Sequence, residues 1–143
     1  MSQLYKEYEH RVQYYETDQM GCVHHSNYIR WFEECRTDYL QYLGMGYDTM
    51  EAAGVVSPVL TVQAEYKSMT RFGETVKIQV AIKEYNSVRI RISYEIYDKD
   101  TNVLRCKGES SHCFLNRDGK PLSLKKAHPE WDETLKAEMQ KQH

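Results

Sequence analysis

From Val59 to Phe114 apolar and polar residues alternate with a period of two, and short turn-forming clusters cut the alternation into four segments. Leu60, Val62, Ala64 and Tyr66 share one face of the first segment, and Val76, Ile78, Val80 and Ile82 share one face of the second. Ile90, Ile92, Tyr94 and Ile96 repeat the pattern in the third. Successive strand side chains point to opposite faces, so the pattern predicts half-buried antiparallel strands. Turns fall at Phe72-Gly73-Glu74, at Asn86-Ser87 and at Asp100-Thr101-Asn102. In the fourth segment Leu104, Cys106, Gly108, Ser110, His112 and Phe114 form a face that is small at its centre, where a helix can approach closely.

Upstream the period changes to that of a helix. Tyr28, Trp31, Phe32, Cys35, Tyr39, Leu40 and Leu43 fall on one stripe, while Arg30, Glu33, Glu34, Thr37 and Gln41 fall elsewhere. Ser26 is the expected N-cap and Gly44 and Gly46 the stop, with Glu34 placed to pair with Arg30 one turn away. A short helical turn is expected over Asp48 to Ala53, a strand over Gln3 to Tyr15, and a charged C-terminal helix over Pro129 to Gln142 with Trp131 holding it down. Strand, long helix, then four strands is an α+β order, and the economical packing wraps an antiparallel sheet around the helix. At 143 residues the chain reads as one domain, 1–143. One helix covers only part of a five-stranded sheet, so edge pairing between two copies is expected.

Charge and cysteine content narrow the partners. Nineteen Lys and Arg against 21 Asp and Glu give a net charge of -2, which supplies no general field for nucleic acid or an anionic membrane. No apolar run approaches a bilayer-spanning length, and no phosphate-cradling glycine loop is present. The four cysteines show no CxxC spacing and the chain opens without a secretory pattern, so a cytoplasmic location is expected.

The chemistry concentrates between Tyr14 and Arg36, YYETDQMGCVHHSNYIRWFEECR. Asp18 stands before a glycine turn, followed by His24 and His25 and then the amphipathic helix. The first N–H groups of a helix lack intrahelical partners and carry the positive end of its dipole, so they favour a negatively charged oxygen. An acid beside them can attack a carbonyl or activate water. Read alone, Asp18 is also what an Asx turn requires. No metal is expected: adjacent histidine side chains diverge, no third ligand is spaced to meet them, and His112 and Cys113 point to opposite faces of a strand.

Tyr14, Thr17-Asp18, Gly21, Val23, His25, Tyr28, Glu33 and Arg36 together resemble the hotdog-fold acyl-CoA thioesterases of the 4-hydroxybenzoyl-CoA thioesterase family, particularly the branch associated in many bacteria with the Tol-Pal system. Glu65-Tyr66 before Phe72-Gly73-Glu74, and the run LNRDGKP from Leu115 to Pro121, extend the likeness over about residues 3 to 122. The resemblance implies a hotdog fold and carries the catalytic aspartate onto Asp18, the histidine onto His25 and the carbonyl-polarising amide onto the His25 backbone. Around Asp18, the residues Tyr14, Gly21, Val23 and His24 are the expected substrate-binding set, with Tyr14 also reading as a packing residue. It also implies an acyl-CoA substrate, no cofactor, and homodimers or homotetramers with active sites at subunit interfaces.

The implied reaction is hydrolysis of a thioester to free acid and CoA, with Asp18 as nucleophile or general base. A thiol leaves without much help from an acid, so the absence of a Ser-His-Asp arrangement is no objection. The alternative from another class is a non-catalytic acyl-CoA-binding module on the same fold.

Overall fold

A computed structural model describes residue 5 and residues 7–142. The long alternating segments form the strands expected of them: β2 is Val59–Tyr66, β3 Thr75–Tyr85, β4 Arg89–Asp98 and β5 Leu104–Cys113, with a short β1 at Tyr8–Arg11. They make one antiparallel five-stranded sheet in the order β1-β3-β4-β5-β2. Helix α1, Ser26–Tyr42, lies against the apolar face and buries Tyr28, Trp31, Phe32, Cys35 and Tyr39. Opposite them stand Val76, Ile78, Ile82, Ile92, Tyr94, Ile96 and Cys106, each at most 1% exposed. The α+β architecture, a sheet wrapped around one long helix, is the one the chain's periodicities predict.

The small centre of β5 does what its composition suggests. A Cβ added at Gly108 would lie 2.4 Å from Cε2 of Phe32 and 2.6 Å from the Gln63 carbonyl oxygen. Phe32 uses that space to stack on Tyr94, with ring centroids 4.6 Å apart and planes 11° apart. Close approach of helix and sheet at this point depends on the missing side chain.

Four expectations need correction. The strand expected over residues 3–15 shrinks to Tyr8–Arg11, followed by a 3-10 turn at Tyr14–Glu16, because imperfect alternation there gives the sheet only four paired positions; residues 3, 4 and 6 lie outside the described residues. Ser26 is the first helical residue and not the cap: the preceding residue, His25, occupies that position, and Nδ1 of His24 accepts the Ser26 N–H at 3.2 Å. Glu34 pairs with Nδ1 of His10 at 3.4 Å and not with Arg30. Finally, β2 is exposed along nearly its whole length on both faces, because it is an edge strand that pairs with β5 alone.

The chain continues through α2, Tyr47–Ala52, which folds over the end of α1, and closes with the turn α3, Leu124–Ala127, and α4, Pro129–Lys141. Helix α4 docks on the sheet through buried Leu135 and Asp132. The Asp132 carboxylate accepts hydrogen bonds from Tyr85 and Ser87 at 2.5 and 2.6 Å and pairs with Lys136 at 2.8 Å. No helix of the described residues is long and apolar enough to cross a membrane.

Candidate active site

Two short segments, Glu16 to Asp18 and Cys22 to His24, run antiparallel through the Thr17–Val23 bridge and lead directly into α1. Their hydrogen bonds are His24 N–H to the Glu16 carbonyl at 2.8 Å and Asp18 N–H to the Cys22 carbonyl at 2.7 Å. Gly21 closes the turn at φ +79°, a backbone state that costs other residues energy, and its N–H reaches the Asp18 carbonyl. Val23 is 7% exposed and belongs to the core, and its N–H binds the Thr70 carbonyl at 2.8 Å, so it anchors the turn from below.

The turn presents Asp18 at the surface. Its Oδ1 accepts the Met20 N–H at 2.8 Å and the Cys22 N–H at 3.3 Å, an Asx-type arrangement that fixes the carboxylate, while Oδ2 makes no hydrogen bond among the described residues. At the helix start, the N–H groups of Ser26, Asn27 and Tyr28 are taken by His24 Nδ1, the His24 carbonyl and the His25 carbonyl. The His25 N–H has no partner among the described residues. An exposed, unpaired donor on the positive end of a 17-residue helix is therefore set beside a carboxylate-bearing turn.

The imidazoles of His24 and His25 stack, centroids 4.2 Å apart, and do not diverge as adjacent side chains would on a strand, because the helix start turns the backbone between them. The His24 ring is committed to the helix start through Ser26 Oγ and N–H. No group of three His, Cys, Asp or Glu able to hold a metal ion is found among the described residues. Tyr14 is 78% exposed and touches Phe72 edge-on at 5.8 Å, so it is a surface residue beside the turn and not a packing one. With Tyr15, Met20, Tyr66, Met69 and Phe72 it surrounds the turn with exposed apolar surface.

Two residues with no role assigned from the sequence hold this constellation. Glu16 is 4% exposed, and its carboxylate accepts hydrogen bonds from Gln13 N–H and His10 Nε2, both at 2.8 Å, and from Trp31 Nε1 at 2.7 Å. Burial opposes its ionisation, but these three bonds outweigh burial and hold its pKa below the ordinary glutamate value. Its backbone carbonyl also receives the Asn27 amide at 2.9 Å. An acid followed fifteen residues later by a core tryptophan has no periodic signature that would have revealed the pair. Tyr66, at the end of β2, donates from its hydroxyl to the His25 carbonyl at 3.3 Å and packs its ring on Tyr28. The sequence marks Tyr66 as a strand residue but gives no sign of where β2 ends relative to α1.

The family model described as the thioesterase-like superfamily matches residues 12–139. A Bacillus subtilis protein named "Putative acyl-CoA thioesterase YneP" is 40% identical over 124 residues, 86% of this chain and 89% of that protein. A crystal structure of a DHNA-CoA thioesterase from Staphylococcus aureus superposes with a TM-score of 0.86 at 33% identity, covering 92% of this chain and 88% of that one. An Aquifex aeolicus protein of known structure, 32% identical, gives 0.82 over 91% of this chain and 98% of that one. The chain belongs to the thioesterase-like superfamily. It is an enzyme of the thioester-hydrolase class with the hotdog fold.

Proposed function

We propose that the protein hydrolyses acyl-CoA thioesters, with Asp18 acting on the thioester carbonyl carbon and the His25 backbone N–H polarising the carbonyl oxygen. The observation that carries this reading is the unpaired His25 N–H at the start of α1, next to the turn that fixes Asp18. A donor already aimed at the place where negative charge develops, and needing no reorganisation, is commonly the largest electrostatic contribution to acyl transfer. Asp18 then attacks to give a mixed anhydride, or accepts a proton from attacking water; its free Oδ2 is available for either. Tyr14, Gly21 and His24 shape the approach to the carbonyl, and the His25 imidazole orients it.

The acyl-CoA substrate follows the names of the relatives, and the motif around Asp18 supports placement near the 4-hydroxybenzoyl-CoA branch with its Tol-Pal-associated members. The catalytic unit in this reading is a homodimer formed by the free edge of β2, where Val59, Leu60, Val62 and Tyr66 are 41–50% exposed. Pairing β2 with its own copy continues the sheet and covers that apolar surface.

The test is incubation with benzoyl, short, medium and long acyl-CoAs in the presence of a thiol reagent. Release of free CoA from at least one class is expected. Saturable binding of acyl-CoA without thiol release overturns the enzymatic reading in favour of a binding module, in which the Asx turn of Asp18 is its whole role.

A further inference from the structure

A cavity of about 440 Å³ opens beside the far end of α1, between that helix, α2 and the segment Gly54 to Ser57. Its volume is that of a small-molecule pocket. Leu40, Met45 and Met50 make it apolar, and Arg36 stands within it. Arg117 frames the rim, donating to the last carbonyls of α2, Glu51 and Ala52, at 3.4 and 3.2 Å. Exposed Glu51 is the one acid of this lining against two arginines. Arg36 is half-buried and forms no ion pair among the described residues. A partly desolvated guanidinium on an apolar wall is a costly arrangement without an anion to meet it.

The deeper lining adds no charge. Past Arg36 a void of only about 10 Å³ reaches His112, which is 1% exposed. Ser110 Oγ links Tyr94 Oη at 2.7 Å to Nε2 of His112 at 2.8 Å, and Nδ1 of His112 has no hydrogen-bond partner among the described residues. Burial, helped by the Arg36 charge, pushes the His112 pKa down to about 4, so the ring is neutral at pH 7 and leaves Arg36 as the charge at this end of the cavity.

In the β2-paired dimer proposed above, the cavity of one copy lies next to the catalytic turn of the other. Helix α1 and β2 lie side by side in opposite directions: the start of α1 meets Tyr66 through His25, and its far end meets Val56 and Ser57 just before β2. A two-fold axis through the middle of β2 sets Val59 opposite the partner's Tyr66 and Ser57 opposite the partner's Ser68. The cavity of each protomer then opens beside the turn bearing the partner's Asp18.

We propose that this cavity is the acyl pocket for the partner's catalytic turn, and that Arg36 makes it select acyl groups ending in a carboxylate. The proposal rests on the thioesterase reading and the β2-paired dimer above. A terminal carboxylate pairs with the guanidinium in a charge-assisted bond, whereas a methyl terminus leaves that charge without an anion.

The test compares adipoyl-CoA with hexanoyl-CoA, which have equal chain length. In the wild-type protein kcat/KM for adipoyl-CoA is expected to exceed that for hexanoyl-CoA by at least about tenfold, chiefly through KM. In Arg36→Met the ratio falls towards one or inverts. Turnover of both substrates with no preference, or with hexanoyl-CoA preferred, overturns the pocket and leaves the thioesterase reading intact. If neither substrate releases thiol, the wider acyl-CoA panel decides the thioesterase reading, and calorimetry with free adipate and hexanoate decides the pocket: tighter adipate binding that Arg36→Met abolishes upholds it, and equal or absent binding overturns it. Should Arg36→Met fail to fold, the wild-type ratio decides alone.

Discussion

Trp31 Nε1 donates a 2.7 Å hydrogen bond to Glu16 Oε2, tying the buried face of α1 to the segment that carries Asp18 two residues later. The same carboxylate gathers His10 and the Gln13 N–H, so one buried acid joins β1, the 3-10 turn and the helix. Glu16→Gln keeps one acceptor oxygen but turns an amide N–H₂ onto either the Trp31 donor or the His10 and Gln13 pair, and is expected to destabilise the fold by about 1–3 kcal/mol, measured by denaturant unfolding. The turn loosens with it, so thiol release slows as well. Unchanged stability and unchanged turnover would remove Glu16 from its positioning role.

Gly108→Ala presses a methyl group into the Phe32 ring and the Gln63 carbonyl, at 2.4 and 2.6 Å. Phe32 can yield only by leaving its stack on Tyr94, because backbone stands on the other side. A loss of about 1–3 kcal/mol is expected, seen as a lower Tm. A melting curve identical to that of the wild type would show that the helix approaches the sheet less closely than described.

These two predictions come from opposite ends of what the sequence reveals. Gly108 was legible because a strand's period places it at the centre of a buried face; β3, β4 and β5 were legible from that same period, α1 from a helical one, and α4 from Pro129 and the charged run after it. Glu16 was not, because its partners lie six and fifteen residues away on different elements and share no period with it. Leu60, Val62, Ala64 and Tyr66 read as one half-buried face, yet β2 is open on both sides. The pattern there records a surface awaiting cover that this chain alone does not supply. Asp18 and His25 stood out through a motif, but only the backbone shows that the His25 N–H stays unpaired while His24 closes the helix start. Arg36 and Arg117 lie far apart in the sequence, and only the fold brings them to one cavity.

Asp132 gives the fold an acid-sensitive contact. Burial raises the cost of its charge, but bonds from Lys136, Ser87 and Tyr85 outweigh it and hold the pKa down to about 2, against 3.8 for an ordinary aspartate. A folded pKa below the unfolded one means that the contribution is complete above about pH 5 and is lost as pH falls towards 2. At pH 7 it amounts to about 2 kcal/mol. Asp132→Asn is expected to lower stability by about that much at pH 7 and to match the wild type near pH 2, as followed by urea unfolding across pH. A constant difference across the range would contradict the assignment.

Val62→Lys puts a charge on the free edge of β2, where self-pairing of two copies would bury it. Sedimentation is expected to show monomers, with thiol release lost alongside, as the proposed interface site requires. A wild-type protein that sediments as a monomer while remaining fully active would contradict the interface site.

The central claim is that Asp18 carries the chemistry opposite the His25 amide, and Asp18→Asn tests it most directly. Asparagine keeps the Oδ1 acceptor that Met20 and Cys22 use, so the turn survives while the carboxylate is lost. Measured as CoA release at saturating acyl-CoA, with circular dichroism and sedimentation matched to the wild type, kcat is expected to fall by at least about 100-fold. Full turnover by that variant would contradict the account.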